Sequence, residues 1–270
     1  MIRNLSMGWF ARALILGLLA FIIFGPLLNM ALWAVTEKWY FPHKLPLEYG
    51  FHYWERVFRP TGHAMESLSV SIAIALFTVA ACLAVSIPAG YALARRSLPW
   101  RSLFLLAFLL PQAFPAVAVY INIGKIFYTI GLNGTILGVV LVHTVHGLVF
   151  SVWISTAAFS AIDSELEEAA RNIGASGLRT FFTVTLPLAM PGIMASAIFV
   201  FLESLDEFTG TFFVGVPDIT TLPILLFTAS MEGNYQVASI TALILLVPSV
   251  GFMLFIERFL KSDVLAKVGG

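Results

Sequence analysis

Apolar residues gather in six long stretches along the 270-residue chain, at roughly 13–35, 67–94, 102–120, 135–160, 188–214 and 237–257. A bilayer's hydrocarbon core is about 30 Å thick and takes about 20 apolar residues as helix. Each stretch therefore predicts one transmembrane helix, and together they predict one all-α membrane domain over residues 1–270. Pro26, Pro88, Pro111, Pro115, Pro191 and Pro248 fall inside the stretches. They are expected to interrupt several spans, which a bundle tolerates where neighbours satisfy the freed backbone groups. The first stretch, Ala13–Val35, exceeds the apolar core of a signal peptide and ends at Thr36-Glu37-Lys38-Trp39 without a small-residue cleavage site. It reads as a retained membrane anchor.

Composition agrees, since 59% of residues are hydrophobic and 11% charged, against roughly 25% charged in a typical soluble domain. So little polar side chain cannot cover a water-soluble globule. Lone Cys82 excludes a disulfide framework and reads as a small core residue. Zero net charge without a basic cluster argues against nucleic acid as a partner.

Lys and Arg set the orientation, because they accumulate in cytoplasmic connections. With the N-terminus inside, the cytoplasmic side collects Arg3, Arg12, Arg95, Arg96, Arg101, Arg171, Arg179, Arg258, Lys261 and Lys267. Lys38, Lys44, Arg56, Arg59 and Lys125 remain outside, four of them in one long loop. Both termini are then cytoplasmic. That outer loop carries Trp39, Tyr40, Phe41, Tyr49, Phe51, Tyr53, Trp54 and Phe58, which suits an interfacial aromatic belt or a short surface helix. A docking surface for an external soluble partner is the other reading.

The charged connection between the fourth and fifth stretches predicts two short helices. Ser164 and Glu167 have capping-box spacing, and Asp163, Glu165, Glu167 and Glu168 crowd a first turn, where the helix dipole favours anions. Leu166, Ala169, Ala170 and Ile173 then recur at helical spacing and form one narrow apolar face. Gly174 suits a left-handed helix end. A second helix is expected over Leu178–Thr185, with Pro187 opening the fifth span. Helices this short need something to pack on.

Residues 168–187 read Glu168-Ala169-Ala170, three residues, Gly174, nine residues, Val184-Thr185-Leu186-Pro187. The segment resembles the EAA loop of the membrane-spanning subunits of binding-protein-dependent ABC importers, whose pattern is E-A-A-x3-G-x9-I-x-L-P. Only Val184 departs, standing where the pattern has Ile. The resemblance covers about residues 67–260 and implies a type I importer permease in the bacterial inner membrane. It also implies that the EAA coupling loop, about 161–187, docks on an ATPase subunit through Glu168, Ala169 and Ala170, with Gly174 as the bend. The partners it implies are a second permease subunit, identical or homologous, two ATP-binding subunits, an external solute-binding protein and membrane lipid. No phosphate loop of the form G-x-x-x-x-G-K-[ST] occurs in the chain. The expectation is therefore no cofactor here, with ATP and Mg on the partner ATPase. Ser204-Leu205-Asp206-Glu207-Phe208 and Thr221-Leu222-Pro223 look closest to the permeases serving polyamines, ferric iron, thiamine or aminoalkylphosphonates.

Glu203, Asp206 and Glu207 lie in the fifth stretch at i, i+3 and i+4, which would place them on one helix face. A carboxylate at the bilayer centre costs roughly 2.5–3.5 kcal/mol on insertion scales, so the trio is expected to face the bundle interior, a water-filled pathway, or a helix break near Thr209-Gly210-Thr211. These are the candidate substrate-pathway residues; a purely structural cluster is the competing reading. They favour a cationic or zwitterionic amine such as a polyamine. His143 and His146 raise a metal site or proton relay, but structural hydrogen bonding is the better expectation, and no metal ligands are assigned. Two rival functions follow. Gly174-Ala175-Ser176-Gly177 matches the G-x-S-G of rhomboid-type proteases, yet all five His precede Ser176, leaving it without a base, so no catalytic residue is assigned. An ion-coupled secondary transporter acting without an ATPase would show breaks at matching positions in both halves, and only one candidate break is visible.

Overall fold

The computed structural model describes residues 9–268, with side chains over 11–258. Arg3 and the side chains of Lys261 and Lys267, which entered the charge reading, lie outside the described residues. Five helical segments are long and apolar enough to cross a bilayer: Ala11–Ala34, Ala64–Arg95, Ile136–Ser160, Gly177–Asp206 and Tyr235–Arg258. A sixth crossing arises if a bent helix pair counts as one span. The residues form two compact sets, Met1–Ala64 with Leu225–Ile244 and Met65–Ile224 with Leu245–Gly270.

In the first set, α1 (Trp9–Ala34) continues past Pro26 without a break. Its most apolar window has no buried residue, so its side chains are left for lipid or another subunit to cover. The connection after α1 forms a two-stranded antiparallel hairpin, β1 (Thr36–Lys38) with β2 (Glu48–Tyr49), then α2 (His52–Phe58). The short helix was one of the forms the aromatic pattern suggested. The hairpin was not, because strands of three and two residues are too short for alternation to register. Lys38 Nζ donates to Glu48 Oε1 at 2.8 Å, and this bond, with the carboxylate's charge, raises the lysine pKa above its ordinary value. Trp54 Nε1 donates to Ala34 O at 2.7 Å and ties α2 to the end of α1. Trp33 stacks on Trp39 at 4.4 Å between ring centroids.

The second set contains most of α3 (Ala64–Arg95), then α4 (Arg101–Ala113), α5 (Ala116–Ile130), α6 (Ile136–Ser160), α7 (Ser164–Asn172), α8 (Gly177–Thr180), α9 (Leu186–Asp206) and α10 (Thr209–Val214). Helices α11 (Leu222–Met231) and α12 (Tyr235–Val268) are divided between the sets. Packing centres on α6 and α9. Ala75, Val79 and Cys82 of α3 meet Ala197, Val200, Phe201 and Leu205 of α9 in one buried cluster with Ile256 of α12, and Phe201 stacks on Phe252 at 3.9 Å. Cys82 is the core residue its surroundings in the sequence predicted. Lipid tails are as apolar as leucine, so helices in a bilayer associate through close contact and polar links instead. Serines provide both. Ser151 Oγ donates to Ser86 Oγ at 2.6 Å and accepts from Ser196 Oγ at 3.0 Å, which joins α3, α6 and α9. Near this ladder α3 presses on α6 so tightly that a Cβ on Gly90 would lie 2.8 Å from Ser155 Cβ and 2.9 Å from Thr156 N.

Three span predictions need correction. Stretch 102–120 is not one helix: α4 and α5 meet at a 93° bend. Phe114 there is extended, with φ −107° and ψ 150°, as a residue preceding proline tends to be. The other internal prolines, Pro26, Pro88, Pro111, Pro191 and Pro248, are accommodated within helices, so only Pro115 coincides with a break. The fifth stretch begins earlier than residue 188, because α8, a π-helical turn at Phe181–Thr185 and α9 form one helical run over Gly177–Asp206. Pro187 is therefore the second residue of α9 within that run and opens no new helix. At its far end the run stops at Glu207, before α10.

Candidate coupling loop and polar cavity

Helix α7 is capped differently from the expected box. Asp163 is the N-cap, its carboxylate accepting from Glu165 N at 3.1 Å. Glu167 instead turns inward and is the one buried residue of α7. Its Oε1 accepts from Arg95 Nε at 2.8 Å, its Oε2 accepts from Tyr91 OH at 3.2 Å, and Arg171 Nη2 lies 3.7 Å away. Arg95 Nη2 also donates to Ile162 O at 2.8 Å. The apolar positions point the other way. Leu166 is 48% exposed and Ile173 88%, while Glu168 and Ala169 are exposed and Ala170 half-buried. The loop therefore does not fold its apolar face against this chain. Gly174 ends the helix at φ +93°, with Gly174 N donating to Arg171 O and Ala175 N to Ala170 O. Beyond it Ser176 Oγ accepts from Arg179 N as the cap of α8, a structural role for the serine of the protease-like motif.

The acidic trio divides. Glu203 and Asp206 are on α9, but Glu207 is outside the helix in an extended conformation, φ −71° and ψ 113°. The expected single face is thereby lost. The Glu207 carboxylate accepts from Gly210 N at 2.8 Å and Thr211 N at 3.1 Å, satisfying amides at the start of α10 that have no partner within the helix. Beside it, fully buried His143 joins Ser204 Oγ through Nδ1 at 2.7 Å and Thr211 Oγ1 through Nε2 at 2.8 Å. Its Nε2 is 3.4 Å from Glu207 Oε2. This is the structural hydrogen bonding expected of His143. His146 instead hydrogen-bonds Tyr120 through Nδ1 and looks into a cavity of about 500 Å³. Glu203, Asp206 and Glu207 share its wall with Tyr120, Phe199 and Phe208. Among the described residues no three or more His, Cys, Asp or Glu side chains are arranged so that they could hold a metal ion.

Residues 86–264 match the model of the family described as the binding-protein-dependent transport system inner membrane component. The chain belongs to that family. It is thus a membrane-spanning permease subunit of an ABC importer. Over 213 residues it is 32% identical to the ABC transporter permease protein ORF1 of Streptomyces antibioticus, covering 77% of this chain and 90% of that one. It is 33% identical to the putrescine transport system permease protein PotI of Escherichia coli, over 45% of this chain and 43% of the other. The permease also shares its fold with a chain of a bacterial ABC transporter that imports the acidic polysaccharide alginate. That likeness has a TM-score of 0.70 at 18% identity and covers 93% and 95% of the two chains. Family membership weighs against the secondary transporter acting without an ATPase.

Sequence reading singled out the outward residues of α7 but missed how the loop is held. Arg95 was counted only as a cytoplasmic charge, and Glu167 as a capping group. Their partners lie 72 residues apart, and no local pattern reports such a pairing. Tyr120, which closes the cavity against His146, carried no signal beyond an apolar stretch.

Proposed function

We propose that this permease forms half of a translocation pathway and takes its drive from ATPase subunits docked on α7. The exposed apolar face of α7 carries the reading, because a short amphipathic helix leaving Leu166 and Ile173 in the open needs a covering partner. Glu168, Ala169 and Ala170 lie on the same helix, and Gly174 fixes its exit. The arginines of the loops support a cytoplasmic position for this loop and for both termini, where ATPases would meet it; an external binding protein would deliver the solute from the opposite side. Ile173→Asp places a charge in the covered face. ATPase subunits are expected to be lost on purification of this variant, while the permease still accumulates in the membrane. Retention of the ATPases would overturn the docking.

For the solute, we read the cavity as favouring a cationic or zwitterionic amine, with a polyamine first. Glu207 is engaged with α10 and His143, so Glu203 and Asp206 are the carboxylates left to attract a charge, beside aromatic faces that suit an ammonium group. PotI, by its name, carries an amine, whereas the structurally similar alginate importer carries a polyanion; the cavity's acidic lining is what supports the amine here. Glu203→Gln and Asp206→Asn are expected to slow putrescine uptake by about tenfold each, the scale of one lost charge interaction. The binding protein's own affinity should not change. Unaltered uptake in both variants returns the pair to a structural role.

A further inference from the structure

Helix α7 is exposed apart from half-buried Ala170 and one buried residue, and that residue is a carboxylate. Burying an unpaired carboxylate is costly, and an apolar residue of similar size would hold a helix in place with less desolvation. What an ion pair adds is direction. Arg95 presents a planar fork that engages both the strand of chain entering α7, at Ile162 O, and α7 itself, at Glu167 Oε1. Tyr91, one turn earlier on α3, takes the second oxygen. Arg171 is half exposed and farther away, so it adds little. Besides the chain entering from α6 and the chain leaving through Gly174 toward α9, this contact to the end of α3 is a third connection of α7.

We propose that Arg95 and Glu167 are positioning residues of the coupling step, their ion pair fastening α7 to α3 so that displacement of α7 moves both α3 and α9. This rests on the docking of ATPase subunits to α7. In the other direction, the pair holds the outward face of α7 in one orientation before any partner arrives.

The test uses the permease complex with its ATPase subunits, in a Cys82→Ala background, with spin labels on cysteines replacing exposed Arg96 and Glu165. With the native pair, the distance between labels is expected to be single and narrow, and unchanged by MgATP with vanadate. In Glu167→Gln it should spread to about twice its width, as a helix does once a fixing contact is gone. A narrow distance in Glu167→Gln overturns the proposal, and so does a shift of the native distance on nucleotide trapping. If Glu167→Gln fails to accumulate, Arg95→Lys takes its place. It keeps the charge but loses the fork, and a narrow distance there overturns the proposal equally. The two readings fail separately: ATPase subunits that stay bound to Ile173→Asp defeat the docking, whereas the label distances without nucleotide judge the fastening alone.

Discussion

Gly174→Val is expected to cut ATP-driven transport about tenfold while leaving the permease inserted and abundant. Gly174 sits at φ +93°, and beyond the adjoining backbone no heavy atom lies within 4 Å of where its Cβ would be. Space is therefore not the obstacle. The obstacle is the backbone, since an L-residue in a left-handed conformation costs about 1–2 kcal/mol, and a β-branched one is the worst placed to adopt it. Relief comes by re-aiming the turn, which alters the angle between α7 and the helical run that begins at Gly177. Solute-stimulated ATP hydrolysis in proteoliposomes should fall about tenfold, the equivalent of some 1.4 kcal/mol. Gly174→Asn should retain more activity than the valine variant, because Asn tolerates this region better. Normal transport by Gly174→Val would show that the bend is not used.

This position also shows what a single sequence can and cannot convey. Gly174 and the span at Ile136–Ser160 were legible because each depends on nearest neighbours along the chain: a turn needs glycine and a span needs length. Glu207 was only half legible. Its spacing from Glu203 correctly marks an acidic cluster, but helical periodicity presumes that the helix continues. What ends it is tertiary: His143, Ser204 and Thr211 together satisfy a polar centre that an unbroken helix would leave without partners. The 93° bend at Pro115 lies in the same class, because Pro111, four residues earlier, is absorbed into α4 and nothing local separates the two prolines.

Glu207→Ala is expected to cause the larger loss of stability of any change at the cavity. Removing the carboxylate leaves Gly210 N and Thr211 N without acceptors, and each buried amide so stranded costs about 1–3 kcal/mol. It also takes away the acidic neighbour of His143. Thermal unfolding of the detergent-solubilised permease should shift down by several degrees, and Glu207→Gln, which keeps one carbonyl acceptor, should shift it less. Glu203→Gln should leave the unfolding temperature where it was, since no hydrogen bond depends on it in the way α10 depends on Glu207. A Glu207→Ala permease as stable as the parent would remove the capping role.

The run from Gly177 to Asp206 has thirty residues, about 45 Å at 1.5 Å per residue, with α7 before its near end and the cavity carboxylates at its far end. Phe181–Thr185 interrupts its winding with a wider π turn. Such a turn holds an extra residue in the circuit, and one residue of α-helix is about 100° of rotation. The π turn is thus a phase setting: it determines which side of the far end looks into the cavity for a given orientation of α7. A chain shortened by one residue within 181–185 could keep every contact of the loop and still turn Glu203 and Asp206 away from the cavity they now line.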